Sequence, residues 1–223
     1  MHIPDGFIDI KTSAAFAAAS AVAVAGAVKG ARRQLSEQSA PLAGLTAVFI
    51  FAVQMLNFPV AAGTSGHLIG AALAMVLVGP YAATLALVVV LIIQAFLFAD
   101  GGLTALGLSI FNMAVISVWV SFAVFILMKK IFPKTKSWLV IATFVSALIS
   151  VPAAAVGFVI QYAIGANATF SVSTVLNAMV GTHIIIGIGE AIITALTVSA
   201  VLASRSDLVF GWDRKNTTLE IRS

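Results

Sequence analysis

Seven apolar runs, nearly free of charge and mostly long enough to cross a bilayer, constrain this chain more than any other feature. A helix needs about 20 mostly apolar residues to span the hydrocarbon core. The runs cover residues 12–28, 41–58, 67–79, 81–99, 104–128, 137–160 and 174–203, with the third the shortest. Charged residues are only 9% of the chain, hydrophobic ones 61%, and mean hydropathy is +1.12. That leaves too little polar surface for a disordered chain, a coiled coil or a water-soluble enzyme domain. Cysteine is absent, which removes disulfides and thiolate metal sites. The expected fold is an all-α integral membrane protein, a seven-helix transmembrane bundle forming a single domain over residues 1–223.

Basic residues set the expected orientation. Seven spans with the N-terminus outside place Lys29, Arg32, Arg33, Lys129, Lys130, Lys134, Lys136, Arg205, Arg214, Lys215 and Arg222 on the cytoplasmic side. Only Lys11 falls outside, a clear positive-inside bias. The C-terminus, with a tail over 205–223, is therefore expected in the cytoplasm. The net charge of +4 reflects this sidedness and implies no nucleic-acid partner. A cleaved signal peptide would want a positive start. This chain instead carries Asp5 and Asp9 before its first base, so Met1 is expected to stay.

An intact Met1-His2 start has unusual chemistry. The α-amine of Met1, the Met1–His2 peptide nitrogen and an imidazole nitrogen of His2 can close fused chelate rings around one ion. The amide nitrogen binds only after losing its proton, so affinity should rise with pH. Nitrogen donors in one plane suit Ni(II), Cu(II) and, less commonly, Co(II), whereas zinc prefers a tetrahedron. Pro4-Asp5-Gly6 reads as a turn that folds residues 1–11, the metal-binding tail, back toward the bundle. His67, in Gly63-Thr64-Ser65-Gly66-His67, lies on the same side and is the natural fourth donor. Against this, a His near a terminus is often only a disordered residue, and a lone His near a helix end a satisfied polar group.

Gln54, Asn57, Gln94, Asn112 and Asn177 also interrupt apolar runs, and helix–helix hydrogen bonding is the expected role for most of them. His183 and Glu190 are seven apart and share a helix face. They leave open a second metal site, a proton relay or an intramembrane hydrolase, although no HExxH occurs. Asp100-Gly101-Gly102 reads first as a turn and second as acid lining near a metal entrance. Alanines and glycines at four-residue spacing in the first run (Ala14/Ala18, Ala15/Ala19/Ala23, Ala17/Ala21/Ala25, Gly26/Gly30) suit either internal packing or docking of another membrane subunit. No GxxxxGK[ST] occurs, so any ATPase must be another polypeptide.

Met1-His2-Ile3-Pro4-Asp5-Gly6-Phe7, Ala52-Val53-Gln54-Met55-Leu56-Asn57-Phe58-Pro59, Gly63-Thr64-Ser65-Gly66-His67-Leu68-Ile69-Gly70, Phe98 to Gly107 and Phe111-Asn112-Met113-Ala114 together resemble the CbiM/NikM family. These are the substrate-specific membrane components of energy-coupling factor transporters for cobalt and nickel. The resemblance runs over residues 1–200. It implies a seven-helix bundle whose N-terminal tail inserts from outside. It also implies that Met1, His2 and His67 hold the divalent ion. Implied partners are a transmembrane coupling component, cytosolic ATPase subunits and a small accessory membrane protein, with the alanine-rich first helix as part of the docking surface. The family gives His183 no ligand role.

The expected function is that of a non-enzymatic component in the cell membrane. It would import Co²⁺ or Ni²⁺ as substrate, with no catalytic cofactor, for cobalamin biosynthesis or nickel enzymes. The nitrogen set serves both ions, and overall resemblance leans to cobalt. The alternatives are an organic cargo with an inert N-terminus, or a hydrolase built on His183 and Glu190.

Overall fold

Each apolar run becomes a helix, and the breaks fall at proline, glycine or a capping side chain. The computed structural model describes residues 1–34, 40–60 and 65–212. The helices are α1 (Ile10–Gln34), α2 (Ala40–Gln54), α3 (Ala71–Val78), α4 (Pro80–Leu97), α5 (Leu106–Ile131), α6 (Lys136–Gly165) and α7 (Val172–Ser204). Asp9 caps α1 by accepting hydrogen bonds from the Lys11 and Thr12 amides at 2.8 and 3.0 Å. Thr135 and Ser171 cap α6 and α7 by accepting from the Trp138 and Thr174 amides. Pro80 opens α4 directly after Gly79, whose φ of 83° turns the chain back from α3.

Two boundaries differ from the sequence expectation. The second span, read to residue 58, stops as a helix at Gln54. Pro59 lacks a donor and biases Phe58 to extended backbone, and Phe58–Pro59 (β1) pairs antiparallel with Ser65–Gly66 (β2). The third span is helical only over the eight residues of α3. At 1.5 Å per residue these rise about 12 Å, well short of the roughly 30 Å hydrocarbon core. All eight are buried, so α3 is an internal prop behind the His67 segment. Five helices are individually long and apolar enough to cross a membrane, and α2 is a shorter apolar helix.

The bundle has two chemically distinct ends. At one, Asp9 N–H donates to the Gly165 carbonyl, Asn57 bonds Asp100, and Thr104 bonds Asp5. At the other, Lys129 Nζ donates to the Gly211 carbonyl and Lys136 Nζ to the Leu202 carbonyl. The Phe210 and Gly211 amides reach the Leu77 and Val76 carbonyls at the close of α3, so α3 points toward this basic end. Arg214, Lys215, Arg222 and the rest of the expected 205–223 tail beyond Trp212 lie outside the described residues, as do Gly63 and Thr64. One apolar cluster runs through the described chain from Met1 to Val209. A π-helical turn over Phe111–Ile116 lets Asn112 Nδ2 donate to Gln161 Oε1 at 2.7 Å. This is the expected helix–helix amide bond. Gln54 and Asn57 bond loop groups instead, and the Gln94 side chain, though buried, has no partner among the described residues.

Candidate metal centre

Residues 1–9 fold back into the bundle. Met1 and Ile3 are wholly buried and His2 is 5% exposed, while Asp5 and Gly6 lie at the surface. Polar partners outside the tail hold this path. The Gly102 amide donates to the Ile3 carbonyl at 2.8 Å, and the Ile3 amide to Ser109 Oγ at 3.4 Å. Thr104 donates its amide and hydroxyl to Asp5 Oδ1 at 2.8 and 2.5 Å. The turn expected at Pro4-Asp5-Gly6 forms, with the Phe7 amide donating to the Pro4 carbonyl and Gly6 at φ 75°. Phe7 then packs on Tyr162 and Phe158, at ring centroid distances of 5.3 and 6.0 Å.

Asp100-Gly101-Gly102 forms the turn that is its first expected role, and it lies against the tail. It turns the chain after α4, with Gly101 at φ 93°. A Cβ on Gly102 would overlap the Asp5 amide nitrogen, and one on Gly101 would press within 3.1 Å of His2 Cβ, so the glycines let the tail in. Asp100 Oδ2 lies 3.4 Å from His2 Nε2, an electrostatic contact lacking hydrogen-bond geometry.

His67 reaches the same place from the other side. Its ring stacks on His2 with centroids 4.7 Å apart and planes 28° from parallel. Its Nδ1 lies 2.8 Å from the Leu68 carbonyl. A carbonyl only accepts, so Nδ1 carries the proton and the buried Nε2 lone pair has no hydrogen-bond partner among the described residues. The segment is fixed from behind. Glu190 Oε2 and Oε1 accept the Ile69 and Gly70 amides at 2.6 and 3.0 Å, and Gln54 Nε2 donates to the Ile69 carbonyl at 2.8 Å. Gly70 sits at φ 78° and opens α3, so Glu190, from α7, engages the two N–H groups that immediately precede that helix.

Electrostatics favour neutral nitrogen. Burial lowers the Met1 amine from its ordinary 8.0 to about 4, with Asp100 pulling the other way. Burial, then the adjacent amine, lowers His2 to about 3. Burial, then the amine and His2, holds His67 well below its usual range. Asp100 is raised by burial, against the pull of the amine and the Asn57 hydrogen bond. The three residues expected to bind metal therefore lie together as unprotonated lone-pair donors. Among the described residues, no three His, Cys, Asp or Glu side chains converge to hold an ion.

The sequence reading missed how Glu190 is used. It shares a helix face with His183, yet both its oxygens are engaged by the His67 segment and none by His183. His183 Nδ1 instead bonds the Met179 carbonyl at 2.7 Å. The His–Glu pair required by the hydrolase alternative does not form. The available signal was the position of Glu190 in an apolar span, since a carboxyl there needs donors, and the two N–H groups ahead of α3 provide them.

Fold and site together describe a multi-pass membrane protein of the transport class. A family model described as "Cobalt uptake substrate-specific transmembrane region" matches residues 2–208. A metal transport protein of Haloquadratum walsbyi is 40% identical over 94% of this chain and 94% of its own length. A fused nickel transport protein, NikMN, of Archaeoglobus fulgidus is 38% identical over 94% of this chain and 68% of the relative. The crystal structure of a truncated transition metal transporter superposes with a TM-score of 0.80 at 32% identity, covering 91% of this chain and 99% of that one. The chain belongs to the CbiM/NikM family of cobalt and nickel transport components.

Proposed function

We propose that this chain captures Co²⁺ or Ni²⁺ through the Met1 amine, the Met1–His2 amide nitrogen, a ring nitrogen of His2 and Nε2 of His67, and delivers the ion inward. The observation that carries this reading is the burial of the Met1 amine together with two stacked, neutral imidazoles. A His2 ring that presents Nε2–H to Asp100 leaves Nδ1 as donor, on the chelating side of its own amide. Loading turns the two rings from a stack to an edge-on approach to one ion.

The described basic residues other than Lys11 belong to the end opposite the tail or to its flanking helix termini, and the positive-inside rule puts that end in the cytoplasm. Capture then occurs outside and release inside. The chain has no phosphate-binding loop, so we assign energy supply to cytosolic ATPase subunits acting through a transmembrane coupling component, with a small accessory membrane protein completing the assembly. The exposed stripe Ala14, Ala18, Ala21 and Ala25 on α1 is the proposed docking face. Ala17, although exposed, lies against Gly107, so the small-residue repeats divide between close helix packing and this outer stripe.

Calorimetric titration of the native-terminus protein with Ni²⁺ and Co²⁺ tests the ligand set. His67→Ala should weaken binding by about 100-fold, because it deletes one of four donors while leaving the tail chelate. Undiminished affinity in that variant contradicts the proposed set.

A further inference from the structure

His183 has no role in the capture set, yet its environment is that of a ligand. The ring is wholly buried in α7. Its Nδ1 is committed to the Met179 carbonyl, so the Nε2 lone pair is fixed in direction and has no partner among the described residues. An unpaired acceptor buried this deeply is costly unless something occupies it part of the time. Four observations place it against the capture site. The His183 ring lies near enough to the Met1 amine, and His67 near enough to the His183 ring, for a charge on one to be felt by the other. Glu190, two turns along the same face of α7, grips Ile69 and Gly70. His183 also lies 11 residues into α7, about 17 Å from its start at the tail end of the bundle, hence near mid-membrane depth.

We propose that His183 Nε2 is the entering ligand that takes the ion out of the N-terminal chelate, a transient inner site on the way to release. Ions held by four nitrogens in one plane exchange ligands associatively, through a fifth donor that approaches above or below the plane before an old bond breaks. His183 offers that donor from a buried position. The exchange balances simply. The Nε2 lone pair of His183 forms a bond to the ion, the His67 Nε2 bond breaks, and one neutral imidazole replaces another. As the tail lets go, its amine, amide and ring bonds to the ion break, the Met1–His2 amide takes a proton from an entering water, the hydroxide so formed and further waters fill the ion's shell beside His183, and no electron changes hands.

The inference rests on the capture site proposed above, and the test keeps the two separable. Purified native-terminus protein is loaded with Ni²⁺. Loss of the ion to a competing chelator is followed by the visible absorption of the nitrogen-bound ion, with the rate extrapolated to zero chelator. His183→Gln approximates the length of the ring and stays polar but offers a poor metal donor. It should leave equilibrium affinity within about threefold while slowing release at least about tenfold. In His183→Ala, millimolar imidazole should restore the rate by filling the vacated space, an effect a merely structural side chain would not show. Release at the native rate in His183→Gln overturns the proposal, as does slow release in His183→Ala that imidazole leaves unchanged. Failure of the capture site itself would register elsewhere, as undiminished equilibrium affinity in His67→Ala.

Discussion

At the residue scale, the chemistry depends on nitrogen that is already unprotonated. With the Met1 amine near 4, His2 near 3 and His67 well below its usual range, these groups have no proton to lose near neutrality. In the proposed ligand set only the Met1–His2 amide would release one on binding. Affinity for Ni²⁺ should therefore rise with pH, by about tenfold per unit between roughly pH 6 and 8, as titration at several pH values would show. A solvated amine with its ordinary value of 8.0 would release a second proton over most of that window, and a slope near 100-fold per unit would contradict the buried amine. His2 and the Pro4-Asp5-Gly6 turn were legible in the sequence because chelation and turn chemistry are local. The Asp5–Thr104 and Ile3–Ser109 contacts that hold the tail were not, since each joins residues about a hundred positions apart.

At the element scale, α7 is the tie between the His67 segment and the rest of the bundle. Glu190 is bonded to the two amides ahead of α3, and α3 is too short to be held by its own length. Glu190→Gln presents an amide NH₂ to one of those N–H groups. It should raise hydrogen exchange at Ile69 and Gly70 and weaken Ni²⁺ binding by about tenfold with all four proposed donors intact. Unchanged exchange at both amides would show that Glu190 does not hold the segment. Most helices were readable from apolar length alone. The 67–79 run was not, because hydropathy reports that a segment is buried and is silent on whether it is extended or helical. Here Ser65–Gly70 is extended or irregular, and only Ala71–Val78 coils. The seven-residue spacing of His183 and Glu190 correctly put both on one face, but their partners lie on another segment that spacing cannot reveal.

At the scale of the whole molecule, the proposed capture site and the proposed coupling face occupy different surfaces. The tail closes one end of the bundle, whereas the exposed alanine stripe of α1 faces outward along its side. Ala18→Leu should leave Ni²⁺ affinity within about twofold and reduce co-purification of the transmembrane coupling component, because a bulkier side chain holds two helix backbones apart. Loss of metal binding in that variant would instead place α1 within the site. The central claim is that the free amino end is itself a ligand, and the most direct measurement extends the chain by one residue before Met1. Every side chain survives this change, but the α-amine is displaced from its chelating position. Calorimetry should show Co²⁺ and Ni²⁺ affinity falling by at least about 100-fold relative to the native terminus. Equal affinity in the extended and native proteins would contradict the account.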